Sequence, residues 1–403
     1  MKDEARLQTV IELADVLFSF EQPSDNTLNA YFRTHRYIGS RDRRYISDLV
    51  WQVLRHYGRL SSLTEKELTG RMAVMSLLRY HDKELLALFN GERYAPAPLS
   101  ERERTWLDSL PAEMPPSSLE CPDWLKNRID TADIEAMTSS ASTDLRINTL
   151  KTDRDTVLKR LEQDGIKAIK TPYSPWGVRL TERANVTAHR LFQDGLIEIQ
   201  DEGSQLVSLL SQAEAGQTVF DWCAGAGGKT LALSAMMNAK GTLYAADAFA
   251  KRLKDLPERA NRAGATNVIL LNDYKDLKSY DLVLVDAPCT GTGTWRRAPD
   301  ARWRVTPEQS AAIVKTQADI LDNAAVHVKR GGRLFYITCS LDKAENEEQA
   351  AAFLSRNVDF EIEDLRPLFN ELTGLAVEEK TIRLCPSKLH TDGFFAASFK
   401  KRP

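Results

Sequence analysis

The chain has 403 residues, 42% hydrophobic and 28% charged, with a formal net charge of −3. This composition excludes a disordered polymer and leaves room for two or three domains, each with its own core. It also excludes a uniformly basic coat for nucleic acid, so a polyanion must be met by local patches. Five scattered cysteines without CxxC or CxxH spacing exclude a disulfide framework and a zinc site, and point to a reducing cytoplasm.

The opening stretch MKDEARLQTVIELADVLFSF carries charges throughout and reads as an amphipathic helix, not as a signal peptide. No stretch approaches the length of a bilayer span. From residue 5 to about 90, apolar residues recur at three- and four-residue steps, which predicts an all-helical bundle. Within it, YFRTHRYIGSRDRRYISDLVWQVLRHYGR holds seven arginines against Asp42 and Asp48, with aromatic residues interleaved. Arg33, Arg36, Arg41, Arg43 and Arg44 are candidates for gripping phosphates, while Ile46, Leu49, Val50, Val53 and Leu54 keep the spacing of a core stripe. The two readings can share one helix on opposite faces. The proline-rich NGERYAPAPLSERERTWLDSLPAEMPPSSLECPDW follows as a connector with one short helix.

Near residue 144 the pattern changes to strand, helix and strand in DLRINTL, DRDTVLKRLEQDG and IKAIKTP, a small α/β unit. DGLIEIQDEGSQLVSLL reads as a strand running into a helix. TVFDWC, GTLYAADA, NVILLN, YDLVLVDAP and GGRLFYITCS are then continuous apolar runs separated by helices or loops. Such runs belong to a parallel sheet covered on both faces, a doubly wound α/β fold whose ligand sits at the carboxyl ends of the strands. Those ends carry Asp221 and Cys223, Asp247, Asp273, Asp286 with Cys289, and Cys339.

The turn VFDWCAGAGGKTLAL ends in Gly228-Lys229-Thr230 like a phosphate loop, but Cys223 stands where that loop needs its first glycine. Gly225, Gly227 and Gly228 do not make a dinucleotide G-x-G-x-x-G either. Asp247 is placed to meet ribose hydroxyls and Asp273 an adenine amino group, so an adenosine without phosphates, such as S-adenosyl-L-methionine, fits better than ATP or NAD. Cys289 and Cys339, both at ligand-facing strand ends, suit thiolate addition at carbon 6 of a pyrimidine, which makes carbon 5 nucleophilic toward a sulfonium methyl. Asp286 near ring nitrogen 3 would stabilise the charge that develops, and Lys229 could hydrogen-bond the base carbonyl.

DWCAGAGGKT, DAPCTGTG and ITCS, in that order, resemble the motifs of the Sun/RsmB-type RNA cytosine-C5 methyltransferases, and the similarity extends over essentially the whole chain. The resemblance implies three parts. These are an all-helical NusB-like RNA-binding domain with its connector over 1–135, a ferredoxin-like α/β subdomain over 141–200, and a Rossmann-like methyltransferase domain over 201–403. It implies Cys339 as the nucleophile, Cys289 as the group that helps release the product, and Asp286 and Lys229 as contacts to the target base. Cys223, Ala224, Gly225, Ala226, Gly227, Gly228 and Lys229, with Asp247, Asp273 and Asp286, would line the cofactor site. The expected substrate is a flipped-out cytosine in 16S ribosomal RNA, with a tRNA or another RNA as the alternative and a non-catalytic RNA-binding assembly factor as a further one. The expected protein is a cytoplasmic monomer that needs no metal and no membrane. TWRRAPDARWR adds Arg296, Arg297 and Arg302 as candidate guides for the RNA strand, against the reading of a charged surface loop.

Spacing alone leaves the two thiols open, because DNA cytosine methyltransferases use the cysteine after proline, which would favour Cys289. The sequence departs from the family at Gly225-Ala226, where alanine-proline is common, and a looser grip on the methionine end without loss of activity is expected.

Overall fold

The computed structural model describes residues 1–271 and 279–403. They group into two compact units, one of Met1–Ser140 with Thr294–Pro307, the other of Ala141–Gly293 with Glu308–Pro403.

The first unit is helical, with no strand among its described residues; its longer helices are Asp3–Leu17, Ser24–Thr34, Ser40–Arg55 and Gly70–His81. The apolar stripe read from sequence is its core: Ile46, Val50, Val53 and Leu54 are fully buried, together with Leu7, Val10, Val74 and Leu77. Burying each such side chain contributes about 1.5–3 kcal/mol. Helix starts follow capping chemistry. The Thr69 hydroxyl accepts from the Met72 amide at 3.2 Å, and the connector helix Glu101–Ser109 opens with a reciprocal Ser100/Glu103 capping box.

Residues 294–307, expected in the catalytic domain, group with this unit because their large side chains bury in it. Trp295 and Arg302 are each 1% exposed. The Arg302 guanidinium lies 5.0 Å from the Trp295 ring centroid and donates to the Glu120 carbonyl at 2.9 Å. The Glu120 carboxylate in turn accepts the amides of Gly58 and Arg59 at 3.1 and 3.0 Å.

The second unit holds two sheets. Strands β1 (Thr143–Ile147), β2 (Ala168–Lys170), β3 (Gly177–Leu180) and β4 (Ile197–Ile199) form an antiparallel sheet in the order β2-β3-β1-β4. Its helix, Arg154–Gln163, starts where Asp153 accepts from the Thr156 amide at 2.9 Å. The larger sheet contains β5 (Thr218–Asp221), β6 (Thr242–Ala245), β7 (Val268–Leu270), β8 (Tyr280–Asp286), β9 (Val328–Thr338), β10 (Phe360–Glu363), β11 (Ile382–Leu384) and β12 (Phe394–Lys401). Its order is β10-β12-β9-β8-β5-β6-β7, with β11 also paired to β12. The five strands β5 to β9 are parallel, and β12 pairs antiparallel with β9, β10 and β11. Strand order reverses between β5 and β8, and a doubly wound sheet opens its ligand crevice at such a point.

Candidate active site

Register explains why distant acids converge at that crevice. Asp221, the last residue of β5, pairs with Ala245 on one side and Leu284 on the other. Asp247 and Asp286 each lie two residues beyond those partners. The turn after β5 starts the helix Gly228–Met236, and within it Gly225 (φ +53°) and Gly227 (φ +86°) are left-handed, a conformation that disfavours side chains. Gly225 also answers the departure from the family pattern. Its amide donates to Asp247 Oδ2 at 3.0 Å, so the turn is tied to the next strand end without a proline.

The chemistry of this crevice suits a cationic adenosyl group and not a polyphosphate. Asp247 takes one backbone N–H on each oxygen, from Gly225 at 3.0 Å and from Phe249 at 2.9 Å, with Arg252 at 3.5 Å from the Gly225-bonded oxygen, and the other oxygen keeps a second lone pair for a ribose hydroxyl. Asp221 is fully buried; its Oδ2 accepts from Thr230 at 2.7 Å and its Oδ1 has no partner among the described residues. Burial, reinforced by Asp286 and Asp247, pushes its carboxyl up to about 7. Lys229, which sequence alone could assign to phosphates, is ion-paired to Asp286 Oδ2 at 2.7 Å. Burial opposes its charge, but the Asp286 carboxylate outweighs this and raises its pKa. With Lys229 already committed to Asp286, the acids of this crevice suit a sulfonium better than a triphosphate. Asp273 lies outside the described residues.

The two thiols meet for the same reason of register. Asp286 on β8 pairs with Ile337 on β9, and Cys289 and Cys339 follow three and two residues later. Their sulfurs are 3.2 Å apart and both residues are half-buried. The loops behind them are fastened by one carboxylate that sequence reading missed. Glu345 accepts from the Thr290 amide at 2.9 Å, the Thr290 hydroxyl, the Ser340 hydroxyl at 2.6 Å and Gln317 Nε2 at 2.9 Å. Thr290 and Ser340 are the residues directly after the two cysteines. A third loop closes on them at Gly293, whose amide donates to the Cys339 carbonyl at 3.0 Å and whose carbonyl accepts from Gly393 at 2.8 Å. A Cβ at Gly293 would stand 2.1 Å from the Gly393 carbonyl oxygen, so only glycine allows this approach.

The two thiols have different charged neighbours. The Cys339 partnership first, then burial and the negative field of Glu345, hold the Cys289 thiol well above its ordinary pKa. Cys339 instead interacts with the Lys229 ammonium. Burial and the acids at the crevice also push the Cys223 thiol up, so this turn residue is no nucleophile.

Arg146 is a second residue that no sequence motif marks. From β1, fully buried, it donates to the Gly228 carbonyl at 2.6 Å and to Gln200 at 2.7 Å, so the small sheet braces the residue before Lys229. Its only hint in sequence is an arginine between the core residues Leu145 and Ile147.

The RNA-binding expectations divide. Arg33, Arg36, Arg41 and Arg44 are exposed; Arg43 is half-buried, over the Phe32 ring at 5.5 Å and bonded to the Ile38 carbonyl at 2.8 Å. Arg297 is exposed. Arg296 and Arg302 are not surface cations: they are 5% and 1% exposed, and Arg302 shares its burial with Glu120. Packing against Trp295 and Glu120 overrides the charge of Arg302. Among the described residues no group of three or more His, Cys, Asp or Glu could hold a metal ion, and no helix is long and apolar enough to cross a membrane.

The order of the larger sheet and the crevice at its reversal are those of a Rossmann-like methyltransferase. Residues 208–400 match a family described as 16S rRNA methyltransferase RsmB/F, and residues 121–187 match its ferredoxin-like domain. The chain belongs to the RsmB/F family. It is 34% identical over 268 residues to "Probable ribosomal RNA small subunit methyltransferase B" of Bacillus subtilis, covering 64% of this chain and 59% of the relative. The chain therefore spans less than two thirds of that relative. It is 26% identical over 434 residues to ribosomal RNA small subunit methyltransferase B of Vibrio vulnificus, covering 96% of this chain and 98% of the relative. A crystal structure of a methyltransferase homologue from Pyrococcus horikoshii superposes with a TM-score of 0.58 at 28% identity, over 79% of this chain and 98% of that one.

Proposed function

We propose that this protein transfers a methyl group from S-adenosyl-L-methionine to carbon 5 of a cytosine in RNA, with 16S ribosomal RNA as the substrate, in keeping with the names its relatives carry. Asp247 would hold the ribose, the Cys223–Gly228 turn would carry the methionine end, and the bound donor supplies an electrophilic methyl on sulfur.

The observation that carries the reading is the thiol pair beside a lysine–aspartate pair. The Cys339 sulfur adds to carbon 6 of the base, and the electron pair of the 5,6 double bond moves to carbon 5. Asp286, carrying the proton that the Cys339 thiol gives up, would donate to ring nitrogen 3, and Lys229 would donate to the carbonyl, stabilising the charge that addition creates. Carbon 5 takes the methyl, leaving the donor sulfur as a neutral thioether; it then loses its proton to water, the pair re-forms the 5,6 double bond, and the carbon–sulfur bond breaks to return the Cys339 thiolate. Cys289, which keeps its proton beside Glu345, would serve this release by donating a hydrogen bond to the departing Cys339 thiolate across the 3.2 Å between the sulfurs. The surroundings that hold the Cys289 thiol up favour Cys339 over it as nucleophile. The odd, scattered cysteines suit a cytoplasmic protein, acting as a monomer.

Bisulfite sequencing of ribosomal RNA from cells with and without the protein tests this. A protected cytosine that depends on the protein is expected, and the same protection in its absence would contradict the reading. Equilibrium binding of S-adenosyl-L-methionine against ATP separates it from an ATP-using enzyme.

A further inference from the structure

The helical unit contains a groove that neither the motifs nor the comparisons assign. One wall is a single face of helix Ser24–Thr34 and the other a single face of helix Ser40–Arg55, and the cavity between them measures about 510 Å³. On the second helix Ser40, Arg43, Arg44, Ser47 and Trp51 recur at the spacing of one helical face. Leu28 and Phe32, 4% and 8% exposed, form an apolar floor from the first helix, with Arg33 at its end.

Three features point to one kind of ligand. The lining holds three arginines against a single carboxylate, Asp25. Arg33 and Arg44 have no side-chain hydrogen bond or ion pair among the described residues, whereas Arg43 is fixed by Phe32 and the Ile38 carbonyl and keeps free N–H donors. Trp51 is half-buried, packs against the core and lines the groove. Unpaired guanidinium groups beside an aromatic ring are the requirements for holding a phosphate while a base stacks. A volume in the range of small-molecule sites has room for one nucleotide.

We propose that this groove docks one nucleotide of a single-stranded RNA segment, its phosphate on Arg33 and Arg44 and its base against Trp51. The inference rests on the reading of RNA as substrate, and it replaces a diffuse basic patch with a defined seat. Arg36 and Arg41, equally exposed and close in sequence, lie outside the lining.

The test uses the full chain and a fluorescent, unstructured RNA oligonucleotide, with affinity followed from about 50 to 200 mM salt. Arg33→Ala/Arg44→Ala should weaken binding about tenfold and flatten the salt slope by about 1.4, at roughly 0.7 per lost contact. Arg36→Ala/Arg41→Ala removes the same charge outside the groove and should weaken binding less than about threefold. Photo-cross-linking of 4-thiouridine RNA should mark the peptide that contains Trp51.

Equal weakening by the two double variants would overturn the seat in favour of a diffuse field. Displacement of the RNA by poly-glutamate at equal charge would overturn the choice of RNA over an acidic protein. Wild-type protein that methylates RNA while Arg33→Ala/Arg44→Ala keeps full affinity overturns the groove alone, whereas wild-type protein that binds no RNA overturns both readings.

Discussion

Replacing Glu345 by glutamine exchanges one carboxylate oxygen for an amide nitrogen inside a buried network of four donor groups. A glutamine oxygen can serve two of them, and its own N–H groups then face the others. Two charge-assisted bonds are lost, at about 1.5–3 kcal/mol each. Burial already pushes the Glu345 carboxyl above its usual range, against the pull of its hydrogen bonds to Ser340 and Thr290, so removing the charge returns part of that loss. A net destabilisation of about 2–4 kcal/mol is expected, a drop of several degrees in Tm. Because Thr290 and Ser340 follow the two cysteines, both sulfurs lose their common anchor, and a misplacement of about 1 Å lowers the rate about a hundredfold. The assay pairs thermal melting with single-turnover methyl transfer to RNA. RNA carrying 5-fluorocytosine, which cannot lose its substituent and so stays bonded to the enzyme, shows whether adduct formation itself slows. An unchanged Tm with a rate within about twofold of wild type would refute the anchoring role.

Asp221→Asn should change stability in a pH-dependent way. The folded pKa of about 7 lies above the ordinary carboxyl value of 3.8, so the unfolded chain releases this proton first as pH rises. The group's contribution is full below about pH 4, declines up to about 7 and is level beyond, so the variant gains on wild type across that window by at most about 4 kcal/mol. Urea unfolding at both ends of the window measures it, and a pH-independent difference would contradict the assignment. Arg302→Ala should destabilise the helical unit by about 3–5 kcal/mol, because it leaves Glu120 buried without its cation, while the salt slope of RNA binding stays unchanged. A change of slope without loss of stability would restore Arg302 as an RNA contact. Gly293→Ala should drive three loops apart and lower methyl transfer about a hundredfold or more, and near-normal activity would show that the Gly293–Gly393 contact is dispensable.

The sheet and its reactive ends were legible because buried parallel strands write themselves as continuous apolar runs, and four of the five runs ended in an acid or thiol that now lines the crevice. Short strand β3, GVRL, left no such run, and β9 extends back through VKRGG, where polar residues hide a strand held by its neighbours. The meeting of Cys289 and Cys339 was readable from two strand ends, but their surroundings were not. Lys229 and Glu345 reach them from other elements, and only tertiary structure sets which sulfur faces which charge. Glu345 itself sits in AENEEQ, one acid among several, and becomes distinct only when two loops about fifty residues apart close on it. Arg302 shows the converse, since a cation in a charged run reads as surface until Trp295 and Glu120 are seen around it.

The central claim is that Cys339 forms the bond to the base and Cys289 serves its release. Purified Cys289→Ala and Cys339→Ala proteins, each mixed with substrate RNA and S-adenosyl-L-methionine and run on a denaturing gel, test it most directly. Cys289→Ala is expected to accumulate RNA-linked protein, and Cys339→Ala to form none. RNA-linked Cys339→Ala protein together with an adduct-free Cys289→Ala protein would reverse the two roles, and no adduct with either would contradict covalent catalysis by this pair.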